Sequence, residues 1–546
     1  MFRPEPAWLS AQDWDLIVIG GGITGAAVLR EASRLGLRCL LLEQRDFAWG
    51  ASSRSGKWVH GGLRYIKQGQ LLTTWHAVRE RDKLCAQLPG LIDIEGMHWP
   101  LYRRDWKGSL IIRAGLWLYD RMAGKRRRHP VSLTRLHEMF PGLEVPNLDG
   151  ALCFYEGQTD DARLTLRLIQ AAESSGAIAL NYAEVTGLYQ PESAGKTPVR
   201  GVYVDLGDAQ PTRIPARQVI AATGAWADRL RVQSSQANAP RIRPLRGSHL
   251  VFDAARLPVR GTLITEHPHD RRPGFITPFQ GRVIVGNTDL DHRQDLQQDA
   301  AITDAEVDYL LASVNHYFPS LNLQRNDILA TFSGVRPVVD SGADDPSKEA
   351  RDHAVWEEHE LITIGGGKLT TFQHIARDAL RRVRDKFPEL KRLHRAGPPL
   401  SMPSHWPDKP SALNDAQFKR LAGRYGERLG EFLASADAKT LNIIPGTDTL
   451  WAELPWCARH EAVVKLDDLL LRRTRIGLLL AHGGAGLQQP IRKLVQPALG
   501  WDDTKWQEEW HRYSELWHRY YGVPDGTEDV PGSTKDKVSK ENRDAV

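Results

Sequence analysis

Cysteine is scarce in this chain. Cys39, Cys85, Cys153 and Cys457 are spread over 546 residues. No two share a C-x-x-C or other metal-binding spacing. That argues against a disulfide framework or a zinc site and for a reduced, cytoplasmic setting. No metal is expected. Long apolar runs are also missing: no stretch of eighteen uninterrupted apolar residues could span a bilayer, so any membrane association would be peripheral. The opening MFRPEPAWLSAQDW has no apolar core and does not read as a secretory signal. Net charge is small for the length, at +5, and gives no electrostatic footprint for nucleic acid. Tryptophan is abundant instead. There are 17, several of them beside basic residues, a pattern compatible with a membrane interface. The 41% hydrophobic and 25% charged content is that of a soluble globular protein, and the length implies two or more domains.

The stretch that organises the chain runs from Asp15 to Glu43. Asp15–Ile19 reads as a buried parallel strand. Gly20, Gly22 and Gly25 follow in G-x-G-x-x-G spacing, then a helical run from Ile23 to Leu35 closed by Gly36. A second apolar strand, Cys39–Leu42, ends at Glu43. This order predicts dinucleotide binding. Gly20 permits the tight turn, Gly22 admits a pyrophosphate, and Gly25 lets helix and strand pack closely. The helix N-terminus attracts phosphate, and Glu43 would accept hydrogen bonds from a ribose diol. The plainer alternative is a glycine-rich turn that binds nothing.

Residues 1–12 read as a polar lead-in. A Ser/Gly-rich segment, 48–62, reads as an ordered loop placed to line a cofactor. Residues 70–88 form an amphipathic helix. Residues 109–122, SLIIRAGLWLYDRM, form a helix with an unusually apolar face, followed by Lys125, Arg126, Arg127 and Arg128. The favoured reading is a core helix ending in a solvated basic loop; the other is a helix lying on an anionic membrane. A helix follows Asp160–Asp161, then strands at 199–205 and 217–222, the second running into Thr223–Gly224. Runs at 248–252, 261–265, 275–278 and 282–286 predict a mixed or antiparallel sheet walling a substrate pocket. Residues 304–318 form a helix and 327–333 a strand leading into Gly334–Pro337. The 360–364 strand opens through Gly365–Gly366–Gly367–Lys368 into a helix reaching Arg382, a second anion-receiving turn. A Pro-rich linker, 397–410, precedes helices at 414–424, 426–436, 458–484, 489–499 and 503–521. The 459–480 run reads as one long helix or two broken near Thr474. The tail after Gly522 reads as disordered.

Six blocks, in order, carry a family resemblance: DLIVIGGGITGAA (15–27), SSRSGKWVHGGLRYI (52–66), DDARL (160–164), RGSHLV (246–251), SGVRPVVD (333–340) and GGGKLTTF (365–372). Together they resemble the FAD-dependent, membrane-associated glycerol-3-phosphate dehydrogenases of bacteria and mitochondria, over about residues 13–520. The later HEAVVKLDDLLLRRTRIGLLL resembles that family's helical cap. The resemblance implies an α/β fold. Its FAD-binding Rossmann-like domain, of the glutathione-reductase and D-amino-acid-oxidase kind, is interleaved with a mixed antiparallel β-sheet substrate domain and followed by a C-terminal helical domain. The expected divisions are 13–90, 150–245 and 330–396 for FAD, 91–149 and 246–329 for substrate, 411–522 for the helices and 523–546 for the tail.

By the same resemblance, Gly20, Gly22, Gly25 and Glu43 match the ADP-binding fingerprint of FAD. Ser52, Ser53 and Lys57 lie in the flavin-contacting segment, with His60, Gly61 and Gly62 beside the ring. Thr223 and Gly224 form a further FAD-facing turn. Gly367, Lys368, Leu369 and Thr370 would approach the flavin's pyrimidine end. Arg64, Tyr65, His249, Arg336 and Lys368 match the substrate pocket. One departure is Ser55–Gly56–Lys57, where S-S-K is expected.

The implied reaction oxidises sn-glycerol 3-phosphate to dihydroxyacetone phosphate. A hydride leaves C2 for FAD and the C2 hydroxyl loses a proton. Arginine suits the phosphate through its planar fork. A histidine suits the proton, with His249 placed first and His60 second. Arg336 completes the catalytic set as a cation, since its pKa is too high for a base. The family passes electrons to ubiquinone in the membrane, which implies a peripheral enzyme on the cytoplasmic face of the inner membrane. Oligomeric state, including a homodimer, stays open. Two other readings stand beside this one: an oxygen-reducing oxidase or a dehydrogenase of another phosphorylated alcohol, and a non-catalytic flavin-binding protein.

Overall fold

The computed structural model describes residues 3–524 apart from 64–70, 104, 125–126, 192–197, 236–240, 343–348, 350–351, 396 and 404. Arg64, Tyr65, Lys125, Arg126 and the tail beyond 524 therefore lie outside the described residues. Two sheets organise the N-terminal four hundred residues. In the first, the apolar strand Trp14–Ile19 pairs in parallel with Cys39–Leu42 on one side and Thr212–Ala221 on the other. Ile178–Leu180 and Leu361–Gly366 extend it in parallel, and His353–Glu358 closes one edge antiparallel. The register sets Ile19 level with both Leu42 and Ala221. Gly20, Glu43 and the 222–224 turn therefore emerge together at the carboxyl ends of three adjacent strands, where open α/β sheets bind ligands. Helix Ile23–Ser33 packs between helices Asp161–Glu173 and Phe372–Arg382. Its small and aliphatic face (Ala26, Ala27, Val28, Leu29, Ala32) is fully buried there.

The second sheet is mixed. Ile242–Asp253 is paired along its whole length with Ile328–Val339 and, on its other side, with Arg282–Gly286. Pro273–Phe279 and Thr262–Glu266 follow antiparallel; Thr262–Glu266 then meets Ile92–Tyr102 in the sheet's one parallel pairing, and Leu148–Thr159 continues beyond it.

Several expectations are corrected. Strands 92–102 and 148–159 were not anticipated. The 327–333 strand does not end at Ser333: Gly334–Pro337 continues it within Ile328–Val339, paired with Ile242–Asp253 of the second sheet. The lead-in contains a short helix, Pro6–Ser10, pinned through buried Leu9. Helix Trp106–Ala123 is no core helix. Among the described side chains Leu116 and Tyr119 are buried and Ile112, Met122 and Ala123 pack partly against the same core cluster, while Leu110, Ile111 and Trp117 are exposed. The 459–480 run does break at Thr474–Arg475, but into more pieces than two helices. It breaks into Glu453–His460, a π-turn at Asp468–Arg473 and a single turn at Ile476–Leu479, with left-handed backbone at Ala462, Arg475 and His482.

The breaks have a chemical cause. Arg472, Arg473 and Arg475 point into the protein, not to solvent. Arg473 donates to Asp46 Oδ1 and Oδ2 at 2.7 Å each, and Arg475 donates to Asp160 Oδ1 at 2.7 Å. Arg163 forms a fork with Glu461 at 2.6 and 2.9 Å. A regular helix would turn these three arginines to different sides. The C-terminal helices also share an apolar core with Val251, Phe279, Ile284, Ala330 and Phe332 of the second sheet.

Candidate active site

One long cleft runs from the carboxyl ends of the first sheet to the face of the second. At its first end, Gly20 has φ +106°, and a Cβ there would stand 2.6 Å from the Ala222 carbonyl oxygen. A Cβ on Gly25 would stand 1.9 Å from the Gly20 oxygen. The first glycine is thus required by backbone conformation and the third by close helix–strand approach. Gly22 is the N-cap of helix Ile23–Ser33 and lines the cleft. The Ile23 amide donates to Ser52 Oγ at 2.9 Å, which fastens the serine loop over the glycine turn. Glu43 accepts from the Gly21 and Arg45 amides at 2.6 and 2.8 Å. A carboxylate keeps further lone pairs beyond these two bonds, and Glu43 lines the cleft wall. Burial pushes its pKa up to about 7.

At the other end the two distant blocks meet. The Thr370 hydroxyl donates to the His60 carbonyl at 2.9 Å. Gly366, Gly367 and Lys368 line the cleft ahead of the turn Leu369–Thr371 and helix Phe372–Arg382. His249, on strand Ile242–Asp253, faces the same space. Its ring is 1% exposed, stacks on Phe332 at 4.4 Å and lies 6.0 Å from Phe275. Neither ring nitrogen makes a well-formed hydrogen bond, though the Phe332 backbone lies close enough to act weakly on the ring. Burial, then the positive fields of Arg336 and Lys57, hold its pKa well below that of ordinary histidine, so the imidazole is neutral. Arg336 lines the cleft from the neighbouring strand and donates to Asp289 Oδ1 at 2.7 Å.

The structure therefore gathers Gly20, Gly22, Glu43, Ser52, His60, Thr223, Gly224, His249, Arg336, Gly367, Lys368, Leu369 and Thr370 around one cleft. Others named from the sequence do not line it. Gly25 acts in packing behind it. Ser53 turns its carbonyl to Lys57 and Arg475. Lys57, expected against the cofactor, is wholly buried: its ammonium donates to Asp161 at 2.9 and 3.0 Å and to the Ser53 carbonyl at 2.7 Å. Gly61 donates its amide to Glu156 at 3.0 Å, and Gly62 sits at φ +77° in the turn beyond. Sequence reasoning missed Trp49 and Trp226, which pack at 5.3 Å on the cleft wall, and also Arg54, Asn287 and Asp289. Trp49 carried a faint signal, standing just before the serine block. Asp289 carried none, since only the sheet register brings it to Arg336.

The donors and the shape fit FAD. A glycine cradle that side chains would fill lies at one end, with a helix N-terminus and a buried acid beside it. The other end is walled by aromatic rings, with a cation at a glycine turn. Comparison with known proteins agrees. Residues 15–395 match the FAD dependent oxidoreductase family, and residues 361–506 match the C-terminal domain of alpha-glycerophosphate oxidase. The chain is 32% identical over 490 residues to an aerobic glycerol-3-phosphate dehydrogenase of Staphylococcus haemolyticus, covering 85% of this chain and 87% of that one. It is 30% identical to the protein of the same name from Staphylococcus aureus, with the same coverage. The glycerol-3-phosphate dehydrogenase of Bacillus halodurans, solved with FAD, superposes with a TM-score of 0.70 at 25% identity, covering 94% of this chain and 96% of that one. The chain belongs to the FAD-dependent oxidoreductases and, among them, to the glycerol-3-phosphate dehydrogenase family.

Proposed function

We propose that the protein oxidises sn-glycerol 3-phosphate to dihydroxyacetone phosphate and hands the electrons to ubiquinone at a membrane surface. FAD held in the cleft supplies the acceptor for the C2 hydride. The chain's own residues bind and orient the substrate and take its proton. The observation that carries this reading is His249: a neutral, buried imidazole facing the cleft with neither nitrogen in a well-formed hydrogen bond. Such a group is costly in a core and is suited to accept the C2 hydroxyl proton. Arg336 offers a guanidinium fork to the phosphate, oriented by Asp289. Lys368 adds a second cation at the glycine turn, and His60 lines the same space as the alternative base. His249 is buried against Phe332, while Arg336, Lys368 and His60 stay partly exposed on the cleft wall, where a substrate can reach them.

The acceptor reading draws on helix Trp106–Ala123. It exposes Leu110, Ile111 and Trp117 together with Lys107, Arg113 and Arg121. Apolar and basic residues on one exposed helix suit an anionic lipid surface, the place where a quinone is met. Among the described residues no helix is long and apolar enough to cross a membrane, which is compatible with a peripheral mode. The second reading, an oxygen-reducing oxidase, draws on the match of the C-terminal region to that of alpha-glycerophosphate oxidase. The test is an anaerobic absorbance titration of the holoprotein in detergent with sn-glycerol 3-phosphate and, separately, glycerol. Bleaching of the oxidised flavin band by the phosphate ester alone is expected. Bleaching by neither, with FAD bound, would overturn the substrate assignment. Rapid peroxide formation in air without added quinone would favour the oxidase.

A further inference from the structure

Lys57 does not line the cleft, yet its charge acts on the cleft's histidine and its ammonium sits over two rings of the same sheet, Phe332 and Phe279. Its ammonium lies 5.0 Å from the centroid of the Phe332 ring, the same ring that stacks at 4.4 Å and 5° on the imidazole of His249. Asp161 and the Ser53 carbonyl fix that ammonium, and Arg475, from the C-terminal region, donates to both of these partners. Asp161 also accepts from the Ser55 amide at 2.9 Å, so the loop carrying Lys57 is anchored at two points.

We infer that Lys57 is a positioning residue for His249: its fixed cation holds the Phe332 ring, and through it the imidazole, in place, and disfavours a second positive charge on the imidazole. The inference rests on the reading of His249 as the base. Arg336 on strand Ile328–Val339 is the other cation acting on the imidazole, and its Asp289 partner offsets part of that charge. From strands Pro273–Phe279 and Arg282–Gly286, Phe275 and Gly286 approach the ring. Burial pushes the Lys57 pKa down to about 8, so the cation persists across the acidic range in which a histidine would titrate. A cation beside aromatic rings in a dry interior is screened less than in water, and its Asp161 partner offsets part of its charge.

The test is the rate of anaerobic flavin reduction by sn-glycerol 3-phosphate, in single turnover of the holoenzyme, from about pH 4.5 to 9. His249→Gln comes first. If it leaves the acid-side fall of the rate unchanged, the assignment of the base fails, independently of Lys57. With that fall assigned to His249, Lys57→Met is expected to move it upward by half a pH unit or more, roughly a threefold loss of rate on the limb. A purely structural role would lower the rate evenly across pH, and an unmoved limb in FAD-bearing Lys57→Met overturns the inference. Should Lys57→Met fail to retain FAD, Phe332→Leu decides. It keeps the ion pair and removes the ring that both groups contact. A severalfold fall in the plateau rate with unchanged substrate affinity is expected, and an unchanged plateau overturns the inference.

Discussion

The cleft and the seam beneath the C-terminal helices are both buried and both polar, and they treat polar atoms in opposite ways. In the seam nearly every ionic oxygen is answered. Asp46 is held by Arg472 and Arg473, Asp160 by Arg424 and Arg475, and Glu461 by the Arg163 fork. In the cleft, both nitrogens of His249 and the Thr223 hydroxyl lack a well-formed hydrogen bond. Unpartnered nitrogens occur in the seam too, at Arg163 Nε and Arg420 Nε, but there each side chain is already held by a carboxylate, whereas the cleft's His249 has no charged partner.

The largest effect should come from breaking the seam. Glu461→Ala would strand the Arg163 guanidinium, 0% exposed, with the Arg473 carbonyl, Cys457 and the Tyr425 ring near it but no carboxylate fork. Removing one partner of a buried pair costs about 3–5 kcal/mol. The expected result is a large fall in denaturation midpoint with loss of FAD. His249→Gln removes no bonded group, so its midpoint should stay within about 1 kcal/mol of wild type while substrate-driven bleaching is lost. Comparable destabilisation in both variants would erase the distinction between the two regions.

The same comparison explains what the sequence makes legible. The Gly20–Glu43 unit is local: strand, turn, helix and acid follow one another within thirty residues, and each choice agrees with the next. The helix boundaries at 71–87, 304–317 and 503–521 were close to expectation for the same reason. Strand Ile92–Tyr102 was invisible because Gly96 and Pro100 interrupt its alternation, and its pairing with Leu148–Thr159 supplies the order that its own residues do not. In LLLRRTR, a regular helical period would spread the arginines around the helix and gives no sign that all three turn inward. Their partners Asp46, Asp160 and Glu461 come from elsewhere in the chain, and no local pattern could disclose them. Lys57 was misplaced similarly: the motif located the loop correctly but not which of its side chains turn inward.

A smaller effect separates the two regions by pH. Glu453, held by Arg420 and Arg424, has its pKa lowered to about 2 despite burial. Its folded value lies below the unfolded one, so its stabilisation is present above the ordinary carboxylate range and is lost as pH falls toward 2. Glu43 is the opposite case. Its folded pKa, raised by burial to about 7, exceeds the unfolded value. Between about pH 4.5 and 7 the folded state binds more protons, so stability declines as pH rises through that window. Glu43→Gln should flatten that decline, by on the order of 1 kcal/mol, and leave the acid-side loss intact. Glu453→Gln should weaken stability at neutral pH and remove part of the acid-side slope. Melting temperatures of the holoprotein across pH check both.

The smallest effect on the folded protein belongs to a surface that is neither cleft nor seam. Leu110 and Ile111 are 59% and 69% exposed on helix Trp106–Ala123, so Leu110→Glu with Ile111→Glu removes almost no core contact. Stability should change by less than about 0.5 kcal/mol, and anaerobic reduction by substrate should be unchanged. Sedimentation with anionic vesicles should fall sharply, because two carboxylates would replace apolar contacts and repel the lipid charge, while a neutral Leu110→Ala should weaken binding only in part. Raised salt should loosen the wild type by screening Lys107, Arg113 and Arg121. Unaltered vesicle binding in the double variant would remove this helix from the membrane reading, and with it the structural support for a quinone over oxygen. The cleft's chemistry would stand untouched, because the reductive half of the reaction depends on residues that this helix does not supply.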